Sequence, residues 1–301
     1  MKPKRQCQCV VRDRRSPFVD IFRTTPARTV CPNFYVLSHA NGCVFRPQCE
    51  YCYLKSSLWY LGGPEAFSNV DRMVDEVRRW ISRDGMESEV LNTGNLSDSL
   101  AFEPVRPMIS RLVDVFREAE AAGRRHALLL VTKGGVGECR AVLEAPPCAN
   151  VIVSFSVNTP EAAHRYEQGA APVPDRMEAA RRLTHAGWRV RIRIDPMFAG
   201  FDYGGITLDV RALEPERVTL GSLRAEPHLL RVIDHGLFGA LEPPAEKGGL
   251  ARYPLAVRLG LYRPVVEALR DTCSIGLCEE VRDVWDALGL DADARCCNCG
   301  S

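Results

Sequence analysis

The sequence predicts an α/β protein: an open parallel (β/α)6 partial barrel with a small helical, cysteine-rich C-terminal extension. Three observations predict it. Short apolar runs alternate with amphipathic segments along residues 30–235, which is the pattern of parallel βαβ units. Six such runs are present, too few for a closed barrel of eight. Polar residues gather just after the runs: Asn92 to Asp98, Lys133, Ser156 and Asn158, Asp195, Ser222 and Arg224. Parallel barrels carry their functional groups at those strand ends.

The chain up to Ala27 reads as an arm, residues 1–29, charged and interrupted by Pro17 and Pro26. Phe34 to Ser38 is the first apolar strand. Asp71 to Arg83 is a helix, because Val70, Met73, Val74, Val77 and Ile81 recur at three and four. Ser88 to Thr93 is the second strand, and Met108 to Ala122 the next helix. His126 to Thr132 is a nearly continuous apolar third strand, followed by a short helix that Pro146 and Pro147 end. Asn150 to Val157 is the fourth strand. Asp175 to Ala186 is a helix capped by Gly187. Trp188 to Asp195 alternates strictly and is the fifth strand; Arg217 to Gly221 is the sixth. Residues 236–301 form the extension, with amphipathic segments at Val257 to Arg270 and Glu279 to Leu288. The first of these bends or restarts at Pro264 if it is helical.

With 301 residues the chain is long enough to bury its own core. Net charge is +1, so no global basic field calls for nucleic acid. The local basic runs, Lys2 to Arg5 and Arg12 to Arg15, read as a solvated tail. There is no membrane-spanning apolar run and no apolar signal region, so a cytoplasmic location is expected. Thirteen cysteines in a reducing compartment point to metal rather than disulfides. The six histidines show no paired metal spacing and receive no role.

The cysteines concentrate in two places. Cys43, Cys49 and Cys52 lie within ten residues after the first strand, two of them as C-x2-C. Buried free thiols, half of a zinc site and a redox pair are the alternatives. A local zinc knuckle lacks its second pair, since the next cysteine is Cys139. Three thiolates suit a four-iron cluster with one iron open to a substrate or cofactor.

The set Cys49-Glu50-Tyr51-Cys52-Tyr53-Leu54, the loop Asn92 to Leu100 with Ser97-Asp98, Thr132-Lys133, Ser154 to Asn158, Tyr166 to Gly169, Arg176 and Arg191 to Met197 resembles the radical S-adenosylmethionine superfamily. Within it, the likeness is to spore photoproduct lyase and its relatives, over roughly residues 30 to 230. The resemblance implies a [4Fe–4S] cluster on Cys43, Cys49 and Cys52, with the amino and carboxylate groups of S-adenosylmethionine on the open iron. Reduction, by a flavodoxin- or ferredoxin-type electron donor, would cleave a carbon–sulfur bond of the sulfonium and release a carbon radical. Ser97 and Lys133 would hold the cofactor carboxylate. Ser154, Ser156 and Asn158 would bond the ribose, and Tyr51 would pack on the adenine. Asn95, Asp98, Arg191 and Asp195 complete the expected cofactor contacts, and Tyr53 stands where the lyases carry a hydrogen-transferring tyrosine. Two departures stand out. The cluster loop is C-x5-C-x2-C rather than C-x3-C-x2-C, which lengthens a loop without changing the ligands. The Asn95-Leu96-Ser97-Asp98 loop lacks the hydrogen-donating cysteine of the lyases.

The second concentration is Cys273, Cys278, Cys296, Cys297 and Cys299. These thiols are read as a second metal or cluster site, or as a soft site for zinc or arsenite. Arg295-Cys296-Cys297-Asn298-Cys299 is similar to the arsenite-capturing motif of the radical enzyme that makes arsinothricin precursors. The leading expectation is a radical enzyme acting reductively on S-adenosylmethionine, with a small molecule or metalloid favoured over DNA as its substrate. The alternatives are transfer of the 3-amino-3-carboxypropyl group to cysteine-bound arsenite, and a zinc-binding nucleic-acid-binding protein.

Overall fold

The computed structural model describes residues 9–31, 33–86, 88–233, 236–294 and 296–300. Eight strands form one sheet, and their order in space follows their order in the chain. They are β1 (Val19–Phe22), β2 (Phe34–Leu37), β3 (Val90–Asn92), β4 (Ala127–Thr132), β5 (Val151–Val157), β6 (Arg189–Met197), β7 (Arg217–Ser222) and β8 (Ser274–Leu277). Only β1 runs antiparallel to its neighbour; the pairs from β2 to β8 are parallel. β1 and β8 are the two ends of the sheet and do not pair, so the barrel is open.

The six expected strands are β2 to β7. Two further strands depart from the sequence reading. β1 lies in the stretch read as an arm, where Pro17 and Pro26 bracket four residues too short to show a period. Val10–Arg12 nearby is also a strand, paired with Glu65–Phe67. β8 lies in the extension read as helical. It has one glycine in four residues and leaves only Ile275 and Leu277 to signal a strand.

Helices α1 (Val70–Ile81), α2 (Ile109–Ala121), α3 (Val173–His185), α4 (Gly204–Leu213), α5 (Leu255–Leu269) and α6 (Arg282–Ala287) join the strands. In α1, Val70, Met73, Val74, Val77 and Ile81 are all buried, as their spacing predicts. Gly187 follows α3 with φ +89°, and Trp188 N–H returns to Leu183 O, closing the helix with a left-handed turn. α5 runs through Pro264 without restarting. The residue four before the proline is Gly260, which has no side chain to crowd the ring.

Alternation divides each strand between two faces. On β6, Val190, Ile192 and Ile194 join the core beneath the helices. Arg189, Arg191, Arg193 and Asp195 therefore face the lumen of the barrel. On β5, Val151, Val153, Phe155 and Val157 pack outward, while Ile152 joins a separate lumen cluster with Val90, Ala127 and Leu129. Each fully buried aliphatic side chain of this core stabilises by roughly 1.5–3 kcal/mol. A lumen lined with arginines is thus held open by an apolar shell outside it.

Candidate cofactor site at the mouth of the barrel

β2 delivers the chain to the loop that carries Cys43, Cys49 and Cys52. Gly42 turns it with φ +80°, and its N–H bonds Leu96 O at 2.8 Å. This ties the cysteine loop to the loop after β3. Arg46 folds back on the carbonyls of Cys43 and Phe45. Cys52 N–H bonds Cys49 O at 3.2 Å and Glu50 N–H bonds Tyr166 O at 2.9 Å. Gly169 lies under the loop, where a Cβ would stand 2.1 Å from Pro47 O, so only glycine fits. All three thiols keep part of their surface open. Burial pushes each upward, Cys49 to about 12. Each therefore needs a cationic metal centre to ionise.

A four-iron cluster fits this donor set. Three cysteines on one loop are held within electrostatic reach of one another, and Lys133 lies beside Cys49. Among the described residues, no group of three or more His, Cys, Asp or Glu gathers tightly enough to hold a single metal ion.

Beside the loop lies a buried charged network. Glu167 accepts Arg176 Nη1 at 2.6 Å and the hydroxyl of Tyr51, with Lys133 Nζ at 3.5 Å. Burial alone would raise Glu167, but Lys133 and Arg176 outweigh it and hold the carboxylate below its usual range. Lys133 Nζ lies 5.8 Å from the Tyr51 ring centre, and that ring meets Phe198 edge to face at 5.5 Å. Arg176 also bonds Ala171 O and Ser156 O. Lys133 and Tyr51 thus stand at the mouth beside the cysteines, as expected. Glu167 and Arg176 received no site role from sequence; a carboxylate after a helix does not reveal the lysine it will meet.

The hydroxyl of Tyr53 bonds Asn95 O, which joins the cysteine loop to the β3 loop a second time. Tyr53 lies within electrostatic reach of Cys52, Arg193, Cys278 and Glu279. It therefore stands between the cysteine loop and the lumen.

Several expected cofactor contacts are already engaged within the chain. Asp98 accepts from Leu100 N, Ala101 N, Thr132 Oγ1 and Lys133 N, between 2.7 and 3.1 Å. It staples the β3 loop to β4. Asn158 is spent on Pro196 O, Thr159 N and Tyr203 Oη. Ser154 donates to Asn298 Oδ1 at 2.9 Å. Arg191 bonds Glu216 and the carbonyls of Asn298 and Gly300. Asp195 pairs with Arg193 and Arg224, which hold it far below the ordinary carboxylate value against the effect of burial. In this structure these five side chains are each engaged by partners within the chain. Ser156 and Lys133 lie at the C-terminal ends of β5 and β4, and Ser97 lies in the loop after β3.

The C-terminal cysteines do not converge. Cys273 and Cys278 flank the two ends of β8. The chain from Cys296 to Gly300 enters the lumen, passing so close to Gly276 that a Cβ there would lie 1.9 Å from Cys296 O. Arg217 Nη1 holds Cys297 O at 2.9 Å and Gly300 O at 3.1 Å, and Asn92 Nδ2 donates to Cys299 Sγ at 3.5 Å. Cys278 Sγ accepts from Arg193 at 3.4 Å and Arg224 at 3.2 Å. Cys296 turns back to Ala294 O. Among the described residues the five thiols form no tight metal-holding group, although Cys297 and Cys299 lie within electrostatic reach of each other and of Cys31.

The sequence profile of the spore photoproduct lyase family matches residues 14–207. The spore photoproduct lyase of Clostridium acetobutylicum is 23% identical over 200 residues, covering 65% of this chain and 56% of that protein. That of Geobacillus sp. is 25% identical, covering 73% and 60%. The chain thus spans little more than half the length of these curated relatives. A solved spore photoproduct lyase complexed with dinucleoside spore photoproduct superposes with a TM-score of 0.72 at 17% identity, over 89% of this chain and 81% of that one. Streptococcus suis SuiB bound to S-adenosylmethionine gives a TM-score of 0.51 at 13% identity, over 80% and 49%. These structures share the open, mostly parallel fold. The chain belongs to the spore photoproduct lyase family, in the radical S-adenosylmethionine superfamily.

Proposed function

We propose that the protein is a radical S-adenosylmethionine enzyme whose [4Fe–4S] cluster is held by Cys43, Cys49 and Cys52. The observation that carries this is the junction of three structures at one mouth: the three-cysteine loop, the Ser97 loop and the Lys133–Glu167–Tyr51 network. When bound, the cluster supplies one electron to the sulfonium of the cofactor and so starts radical chemistry. The chain's residues bind and orient. Lys133 offers a cation to the cofactor carboxylate, Ser97 a hydroxyl, and Tyr51 an aromatic face. Tyr53 stands between this site and the lumen, placed to pass a hydrogen atom. The electron comes from a flavodoxin- or ferredoxin-type donor.

The substrate proposed here is a small molecule or metalloid. The solved relative holds a dinucleoside spore photoproduct. This chain differs in having no cysteine among Asn95-Leu96-Ser97-Asp98.

A second reading rests on the entry of Cys299 into the lumen, within electrostatic reach of Arg193. A thiol-bound arsenite there would receive the 3-amino-3-carboxypropyl group. Product analysis of the anaerobically reconstituted, reduced protein separates the two. 5′-Deoxyadenosine supports the first reading, and 5′-methylthioadenosine formed only with arsenite supports the second. The Cys52→Ala variant should lose the brown visible absorbance and both products. Retained cluster absorbance in that variant would refute the ligand assignment.

A further inference from the structure

His39 and Arg106 lie behind the mouth, away from both concentrations of cysteine. His39 is 0% exposed, at the end of the strand that leads to the cysteine loop; Arg106 is 5% exposed and Ser97 is 4% exposed. Arg106 Nη2 lies 2.9 Å from His39 Nδ1 and 3.0 Å from His39 O. His39 Nε2 lies 2.8 Å from Ser97 Oγ. The ring meets Phe102 edge to face at 6.1 Å, which fixes its plane.

The hydrogen positions follow from donor chemistry. A guanidinium only donates, so His39 Nδ1 must accept and carries no proton. A neutral imidazole then carries its proton on Nε2. Burial and the Arg106 charge both keep the ring neutral, against a hydrogen bond to the Thr93 backbone that favours the charged form. Nε2–H therefore points at Ser97 Oγ and occupies one of its lone pairs. The Ser97 hydrogen then points elsewhere, and among the described residues Ser97 Oγ has no hydrogen-bond partner besides His39. The hydroxyl is set as a donor.

Arg106 shows what that donor is for. Its Nε and Nη1 are buried with no partner among the described residues. Glu103 is within electrostatic reach but forms no ion pair with Arg106; its Oε1 accepts from Met108 N and Ile109 N at the start of α2. A buried cation without a paired carboxylate favours an anion nearby. The Ser97 loop is the path along which that preference reaches the mouth.

We propose that Arg106 and His39 are positioning residues that lock Ser97 as a hydrogen-bond donor to the carboxylate of S-adenosylmethionine. The proposal rests on the cofactor reading above. It also gives work to a histidine and an arginine that sequence spacing leaves without a role.

The test compares S-adenosylmethionine with 5′-methylthioadenosine, which lacks the carboxylate, by calorimetric titration of the cluster-loaded protein. His39→Leu and Arg106→Met should weaken S-adenosylmethionine about tenfold or more and leave 5′-methylthioadenosine unchanged. Ser97→Ala should do the same, and the His39→Leu/Ser97→Ala double variant should be no worse than Ser97→Ala alone. His39→Gln keeps a donor near the Nε2 position and should restore most of the affinity. Equal weakening of both ligands, or none, would overturn the relay while leaving the cofactor reading intact. A wild-type protein that binds neither ligand would overturn both. Independently, nitrogen-15 NMR of the metal-free protein should show His39 protonated at Nε2 only; a proton on Nδ1 would overturn the relay without reference to the cofactor.

Discussion

Glu167 shows how single residues set this site. Its carboxylate is fully buried and holds Arg176, Lys133 and the Tyr51 hydroxyl together. Buried pairs of this kind add little net stability when complete, but removing one member strands the others. Glu167→Gln leaves the Arg176 guanidinium at 1% side-chain exposure without its carboxylate. It should therefore destabilise the fold by about 3–5 kcal/mol, read as a lower urea midpoint. Tyr51→Phe removes only a hydroxyl from the same network and should lose about 1 kcal/mol. If Glu167→Gln unfolds no more easily than Tyr51→Phe, the network is not holding the mouth together.

The elements explain what could be read from sequence and what could not. The strands β4, β5 and β6 announce themselves, because long apolar or alternating runs leave one solution each. The cysteine loop is legible for a similar reason: its three cysteines are local, so their spacing is visible before any fold is known. The lumen is different. Ser154, Arg191 and Asp195 stand at strand positions that face inward, and from sequence an inward polar residue near a strand end reads as a ligand. In the structure Ser154 and Arg191 meet the tail, more than a hundred residues away, and Asp195 meets Arg193 and Arg224. The Cys296 to Cys299 motif is visible in the sequence, yet its place is decided by Gly276 and by the tail carbonyls to which Arg191 and Arg217 donate. Short β1 and β8 are hidden because three or four residues carry no period. A chain ending at Ala294 tests the role of the tail as an element. Arg191 and Arg217 would lose their tail carbonyls, and stability should fall by about 2–4 kcal/mol. Alkylation of Cys278 by iodoacetamide should quicken as the lumen opens. An unchanged melting temperature and an unchanged labelling rate would mean the tail is not a structural floor.

At the scale of the molecule, one carboxylate couples the sheet to that tail. Glu216 precedes β7 and bonds Arg189 and Arg191 on β6, and Arg191 in turn holds the tail. Burial pushes its pKa up, but the two arginines prevail and lower it from 4.5 to about 2. A depressed carboxylate pKa stabilises the fold above the unfolded value and loses that contribution as pH falls toward the folded value. The full contribution is at most about 3 kcal/mol, since the side chain is 28% exposed. It is present at neutral pH, and about 1 kcal/mol of it is gone by pH 3.5. Wild-type protein should therefore lose stability between pH 6 and pH 3.5 faster than Glu216→Gln, whose amide does not titrate. The two urea midpoints, far apart at pH 6, should converge as acid is added. Parallel pH profiles would show that Glu216 carries no more charge coupling than an exposed surface residue. They would also mean that the tail is held by the arginines' hydrogen bonds to its carbonyls, without help from the carboxylate that orients Arg191.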